Sequence, residues 1–364
     1  MFLEQALKQT VDLERPLRLL DLCAAPGGKS THLQSLISKD SLLVSNEVIR
    51  PRANIVKDNI MKWGGENVVV TNNDPAGFSV LGNYFDVIVV DAPCSGSGLF
   101  RKDPEAIGEW SENNVQLCSQ RQRRILADVL PALKKGGVLI YSTCSYSKEE
   151  DEQIVSWLRE EFELDQLSLT HDPSWGITDT GKGYRFWPDK VKGEGFFIAC
   201  FQKRTEGADV AVKGRSKPAV PVTTEMERIG KWVKKEGMTF VKHENTVYAW
   251  PRSLAADFAL LLEKMKVIYS GVRAGELVRD KFLPDHALAM SRLVENSVPR
   301  FPLGREQAVR YLQRKDIDLT GTGRGWHLVT FQEQPLGWVN ILPNRINNYY
   351  PKELRILKES QASG

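Results

Sequence analysis

Between residues 17 and 203 the chain alternates between short, almost unbroken apolar runs and stretches whose apolar residues recur at helical spacing. The runs are LRLLDLC (17–23), LLVSNEV (42–48), NVVVTN (67–72), FDVIVVDAP (85–93), GVLIYSTC (137–144) and a late FFIACF (196–201). Continuous Val/Ile/Leu runs, as opposed to strict alternation, fit strands covered on both faces of a parallel sheet. Between them, HLQSLI, ANIVKDNIMKW, NVQLCSQRQRRILADVLPAL and EEDEQIVSWLREEF place apolar residues along one helical face. Strands alternating with helices predict a doubly wound, Rossmann-like α/β domain over 1–203, with its ligand sites at the C-terminal ends of the strands.

The pattern then changes. Residues 204–223, RTEGADVAVKGRSKPAVPVT, are rich in Gly, Pro, Ser and charge and read as a linker. Residues 224–290 mix a helical stretch, FALLLEKMK, with a hairpin-like MTFVKHENTVYAW, which predicts a small α/β intermediate domain. Residues 291–360 carry one helical segment, REQAVRYLQR, followed by WHLVTFQ and LGWVNIL, a small and mostly β module. A chain of 364 residues has room for this division.

No apolar run approaches the roughly 20 residues of a membrane span, and the N-terminus lacks the basic start and apolar core of a signal peptide. The expected setting is the cytoplasm, without a membrane partner, and the chain is expected to act as a monomer. The net charge of +3 hides an asymmetry. Residues 224–364 hold 22 Lys and Arg against 16 Asp and Glu, whereas residues 1–223 hold 27 against 30. An anionic partner is therefore expected on the C-terminal side.

The first apolar run ends in Asp21-Leu22-Cys23-Ala24-Ala25-Pro26-Gly27-Gly28-Lys29-Ser30 and passes at once into a helical stretch. Small residues there let a ligand approach free backbone N–H groups at a helix N-terminus. A phosphate-cradling loop of the Walker type needs glycine where Cys23 stands, and the dinucleotide spacing of glycines is absent as well. A nucleoside cofactor with a charged tail, S-adenosylmethionine, remains. Glu47, at the end of the second run and 19 residues past Gly28, sits at the spacing of a ribose-binding acid. Asp74 follows the third run at the same sheet edge, where it can receive the adenine amino group.

The five cysteines are scattered and odd in number, so neither a disulfide framework nor a metal site is expected. Cys23, Cys118 and Cys200 read as core filler, with a backbone contact to cofactor open to Cys23. Cys94, in DAPCSG, and Cys144, in STCS, each close a run that should lie beside the other in the sheet, about 5 Å away. Two thiols at one cleft suit a cytosine ring. Its C5 is too weak a nucleophile to take a methyl group unaided, but a thiolate added at C6 makes C5 enamine-like. One thiol attacks and the other assists release; spacing alone does not say which. Asp91 can then bind the polar edge of the pyrimidine and orient it.

These residues resemble the Nol1/Nop2/Sun family of RNA cytosine-5 methyltransferases, and its bacterial ribosomal-RNA branch in particular. The matching motifs are LDLCAAPGGKS (20–30), DAPCSGSGLFRKDPEA (91–106), YSTCSYSKEEDE (141–152) and RFWPDKVKGEGFF (185–197). The resemblance implies that Cys144 is the nucleophile and that Cys94 promotes product release. It also implies that Cys23, Ala24, Ala25, Pro26, Gly27, Gly28, Lys29, Glu47, Asp74 and Asp91 bind S-adenosylmethionine, with 16S ribosomal RNA as substrate.

The last module is similar to PUA-type RNA-binding domains through LPDHALAM (283–290) and GWVNILPNRINNYYPKELRI (337–356). Arg345, Lys352 and Arg355 there suit phosphate contact. Members of the family carry a substantial segment before the first motif. Here about 16 residues precede it, and they read like the tail of that segment's last helix. A transfer RNA substrate and a non-catalytic RNA-binding assembly factor are the competing readings. An amino-group methyltransferase would have an Asp/Asn-Pro-Pro-aromatic turn where DAPC stands.

Overall fold

A computed structural model of the chain describes residues 2–205, 218–319 and 323–357. The expected linker falls mostly on 206–217, outside the described residues. The chain divides into two compact units. Among the described residues, one comprises 2–59, 67–205 and 256–269; the other comprises 60–66, 218–255, 270–319 and 323–357.

The first unit is the expected α/β domain. Its parallel core is β1 (Arg18–Asp21), β2 (Leu42–Asn46), β3 (Val68–Thr71), β4 (Phe85–Asp91) and β5 (Leu133–Thr143). The order across this part of the sheet is β3-β2-β1-β4-β5, so the crossover lies between β1 and β4. Their Val, Ile and Leu side chains are almost fully buried, as two-sided coverage demands. Helices Gly28–Leu36, Arg50–Trp63, Glu112–Val129 and Glu152–Glu161 make the crossovers or flank them. The third of these starts at Ser111, whose hydroxyl accepts the Asn114 N–H at 3.1 Å, a standard N-cap.

Beyond β5 the sheet continues with short strands: β6 (Leu164–Leu167), β7 (Thr178–Asp179), β8 (Tyr184–Phe186) and β9 (Phe196–Lys203). The order runs β5-β9-β8-β7, with β6 also on β9, and all these pairings are antiparallel. At the opposite edge, strand Val267–Ser270 lies beside β3. It is preceded by helix Ala255–Lys264, which the sequence pattern groups with the intermediate stretch. Arg18 Nε donates to Asp257 on that helix at 2.6 Å, and the Tyr84 hydroxyl donates to the same carboxylate at 2.6 Å.

The second unit holds two four-stranded sheets. Strands Met238–His243, Thr246–Pro251, Val272–Val278 and Lys281–Pro284 form an antiparallel meander. Strands Arg300–Pro302, Gly325–Phe331, Gln334–Leu342 and Arg345–Asn348 form the other, on which helix Arg305–Leu312 packs through Ala308 and Tyr311. The two stretches share one core, in which Leu328 and the fully buried Trp338 pack with Phe240, Val272 and Leu288. Among the described residues no helix is long and apolar enough to cross a membrane.

Candidate active site

The register of the central sheet sets the site. Asp91, at the end of β4, pairs with Ser142, near the end of β5, so both chains leave the sheet at one level and side by side. Each then carries a cysteine into a turn. The sulfurs of Cys94 and Cys144 lie 2.9 Å apart, and both residues are half-buried and free of disulfide. The turns are also laced by backbone. The Gly98 N–H donates to the Cys144 carbonyl at 2.8 Å, and the Gly195 N–H donates to the Gly98 carbonyl at 3.0 Å. A β-carbon on Gly98 would stand 2.6 Å from the first of those acceptors, so the close approach requires glycine.

The sulfur contact divides the two thiols electrostatically. The bond from Cys94 is the largest influence holding the Cys144 thiol below the ordinary range. Burial and Asp91 oppose it, and the Lys29 ammonium supports it. The same contact pushes the Cys94 thiol far up, with burial and the charge of Glu150 adding to it. The contact thus favours Cys144 over Cys94 as the thiolate of the pair.

Lys29 lies in the first turn of helix Gly28–Leu36, and its ammonium donates to Asp91 Oδ2 at 2.7 Å. Burial works against the lysine charge, yet attraction to Asp91 outweighs it and holds the ammonium above its usual range. The other oxygen of Asp91 accepts from Ser142 Oγ at 2.8 Å. Lys29, Asp91 and the two cysteines thus form one charged cluster, drawn from three strand ends.

The loop before this helix turns at Gly27, whose φ of 110° is a left-handed conformation suited to glycine. A β-carbon on Gly28 would meet nothing, so that face of the loop is open. Asn46, at the end of β2, braces the loop by donating to the Leu22 and Asn73 carbonyls at 3.1 and 3.0 Å. Glu47 is buried, with its carboxylate accepting the Ile49 N–H at 2.9 Å. Asp74 is engaged differently: it is exposed, caps the turn Pro75–Leu81 through the Ala76 N–H, and lies 3.5 Å from Arg124. Cys118 and Cys200 are buried. Cys23 is half-buried, and burial raises its thiol well above the usual range.

Several residues of this site do not stand out in the sequence. Asp21 is completely buried; Ser30 donates to one of its oxygens at 2.6 Å, the other has no hydrogen-bond partner, and burial pushes its carboxyl up to about 7. Its place before the glycine loop was a usable signal. Ser142, Gln122 and Glu150 gave none, because Asp91, Pro93 and Ser95, the partners that draw them into the site, lie 51, 29 and 55 residues away in the chain.

A family described as 16S rRNA methyltransferase RsmB/F matches residues 8–202, and a second family, described as methyltransferase RsmF PUA domain, matches 298–356. The chain belongs to the RsmB/F family. It is 30% identical to ribosomal RNA small subunit methyltransferase F of Cronobacter sakazakii over 94% of this chain and 74% of that one. The protein of the same name from Shewanella loihica is 28% identical over 93% and 72%. Among solved structures, NSun6 from Pyrococcus horikoshii with SFG is similar at a TM-score of 0.50 and 28% identity. That likeness covers 56% of this chain and 52% of that one. The RsmB/F match accounts for the first unit as a methyltransferase domain, with S-adenosylmethionine as its cofactor. The PUA match falls on the second sheet and its helix, the mostly β module expected from the pattern.

The residues present fit that cofactor. A buried carboxylate oxygen on Asp21 is left for a donor, such as an ammonium group. The open face of Gly28 admits a ligand against the backbone, and Glu47 supplies a second acid at the next strand end. Among the described residues no cluster of three His, Cys, Asp or Glu side chains forms a metal site.

Proposed function

We propose that this chain methylates carbon 5 of a cytosine in 16S ribosomal RNA through a transient bond between Cys144 and C6. The observation that carries this reading is the pair of thiols 2.9 Å apart, one favoured as thiolate and one as thiol, beside the Lys29–Asp91 pair. A thiolate is the nucleophile such chemistry needs, and a neighbouring thiol suits proton handling during its expulsion.

Cys144 Sγ adds to C6, and the ring electrons shift towards C5, N3 and the exocyclic oxygen. Asp91, held by Lys29 and Ser142, orients the polar edge of the ring. S-adenosylmethionine, when bound, supplies the electrophilic methyl that C5 takes. The C5 proton then passes to a water molecule, its electron pair re-forms the C5–C6 double bond as the Sγ–C6 bond breaks, and Cys144 departs as thiolate, assisted by the hydrogen bond of the Cys94 thiol. The loop from Cys23 through Ala24, Ala25, Pro26 and Gly27 to Gly28 and Lys29 holds the cofactor, with Glu47 at the ribose and Asp74 towards the adenine. The chain works as a monomer in the cytoplasm. Its basic C-terminal side, including Arg345, Lys352 and Arg355, grips the RNA backbone; all three side chains are exposed.

The test is transfer of labelled methyl to small ribosomal subunits and, separately, to total tRNA, followed by nucleoside analysis. Label in 5-methylcytidine from the subunits supports the proposal. Label from tRNA alone keeps the chemistry and overturns the substrate. Label in any other nucleoside overturns the chemistry, and no label from either RNA favours an RNA-binding assembly factor.

A further inference from the structure

Glu150 lies six residues past Cys144 and takes no part in the chemistry above, yet it is completely buried. Its carboxylate takes four neutral donors. Oε2 accepts from Ser95 Oγ at 2.5 Å and from Ser145 Oγ at 2.6 Å. Oε1 accepts from the Ser95 N–H at 2.8 Å and from Gln122 Nε2 at 3.2 Å. Ser95 directly follows Cys94, and Ser145 directly follows Cys144. One carboxylate oxygen therefore bridges the two cysteine turns.

The group is itself fixed at both ends. The Tyr141 hydroxyl donates to the Glu150 carbonyl at 2.5 Å, and the Glu150 N–H donates to Ser147 at 3.1 Å. Gln122 also donates to the Pro93 carbonyl at 3.0 Å, tying the residue before Cys94 into the network. Burying a carboxylate is costly even when it is hydrogen-bonded, and an amide of the same shape would carry less of that cost. What the carboxylate adds is acceptor capacity at both oxygens, which four converging donors need.

We propose that Glu150 is a positioning residue that locks the Cys94 and Cys144 turns together and so sets the distance between the two sulfurs. Without it, the two turns are joined by the Gly98 N–H bond to the Cys144 carbonyl and by the Tyr146 N–H, which donates to Ser97 Oγ at 2.9 Å, and each serine loses its buried acceptor. The negative charge of Glu150 adds a second effect in the same direction, because it disfavours ionisation of Cys94 and keeps that thiol a donor to Cys144. The inference rests on the proposed roles of the two cysteines, but its test need not.

Glu150→Ala and Glu150→Gln are compared with the parent chain in two assays. The first is RNA-free: the rate at which diamide, taking up two electrons and two protons, converts the Cys94 and Cys144 thiols to a disulfide. Glu150→Ala should slow it about tenfold, and Glu150→Gln should fall between Glu150→Ala and the parent, because its amide keeps one acceptor oxygen but turns a second donor towards the donors of the network. The second is methyl transfer, in which kcat should fall about a hundredfold in Glu150→Ala while the RNA KM and cofactor Kd stay within about threefold. Parent-like cross-linking in Glu150→Ala overturns the inference, as does a loss confined to KM. If Glu150→Ala does not fold, Ser145→Ala removes a single bridging bond and decides by the same two readouts. Failure of the parent to produce 5-methylcytidine would instead fail the reaction proposed above, while the cross-linking rates still judge Glu150.

Discussion

The sulfur of Cys94 lies 2.9 Å from that of Cys144, although 50 residues separate them in the chain. The parallel pairing of β4 with β5 produces this contact, since it ends both strands at one level and leaves each turn to present its cysteine sideways. The contact makes the two thiols unlike, and most of the chemistry proposed for the site follows from that inequality.

Replacing them should separate their roles. Cys144→Ala should lower methyl transfer more than about a thousandfold with cofactor affinity unchanged, because only the nucleophile is lost. Cys94→Ala should instead accumulate a covalent RNA–protein adduct, visible as a band resistant to denaturing gel electrophoresis. Normal turnover in Cys94→Ala would remove that residue from the mechanism.

The pH dependence follows from the direction of the Cys144 shift. Its reactive form is the thiolate, and its thiol is held below the usual range, first by the bond from Cys94 and then by Lys29, against burial and Asp91. Alkylation of Cys144 by iodoacetamide should therefore rise with pH to a plateau, with a midpoint below the value of about 8.5 of a free thiol. Reactivity is retained above that midpoint and lost as pH falls through it. Cys94→Ala removes the largest lowering influence, so the midpoint should move up. An unmoved midpoint would contradict the proton assignment.

Arg185 bears on stability. It is buried, makes two bonds of 2.6 Å to Glu152, and stands 3.1 Å from the buried Asp151. Thr143, one residue before the proposed nucleophile, donates to that same Asp151 at 2.5 Å. Arg185→Met leaves buried carboxylate unpaired and should cost about 3–5 kcal/mol in urea unfolding. A loss below about 1 kcal/mol would mean that the cluster relaxes into solvent.

The exposed basic residues of the C-terminal sheet and its following turn test the RNA grip. Alanine at Arg345, Lys352 or Arg355 should weaken RNA binding similarly for all sequences. Each should also reduce the salt dependence of log K by about one phosphate contact. Filter binding between low and moderate salt measures both. A change in sequence preference without a change in salt slope would point to base contact.

Much of this was legible in the chain itself. The runs 17–23, 42–48, 67–72 and 85–93 contain β1 to β4, and the run 137–144 holds the buried part of β5, because a strand covered on both faces has to be apolar at nearly every position. The turns DAPC and STC were readable as chemical because Gly, Pro and Ser beside a thiol at a strand end suit exposure more than packing. Lys29 was readable as part of the cofactor loop, but its bond to Asp91 was not. Nothing in the local pattern of 149–152 marks its acids for burial, yet Glu150 and Asp151 are completely buried. Whether a carboxylate can be buried depends on donors brought from elsewhere, here Ser95 and Gln122, and local sequence holds no record of them.

The sequence by itself determined the local chemistry: which segments are apolar enough to become buried strands, which loop lets a ligand reach backbone, and which turns carry thiols. Periodicity and side-chain size act over a few residues and leave their mark there. Only the tertiary structure decided which of these meet. It set Cys94 against Cys144, gave Asp91 to Lys29 and Ser142, placed Val267–Ser270 beside β3, and turned Glu150 inward to bridge two loops. Those outcomes depend on sheet register and on the mutual satisfaction of buried polar groups, and both are properties of the folded chain as a whole.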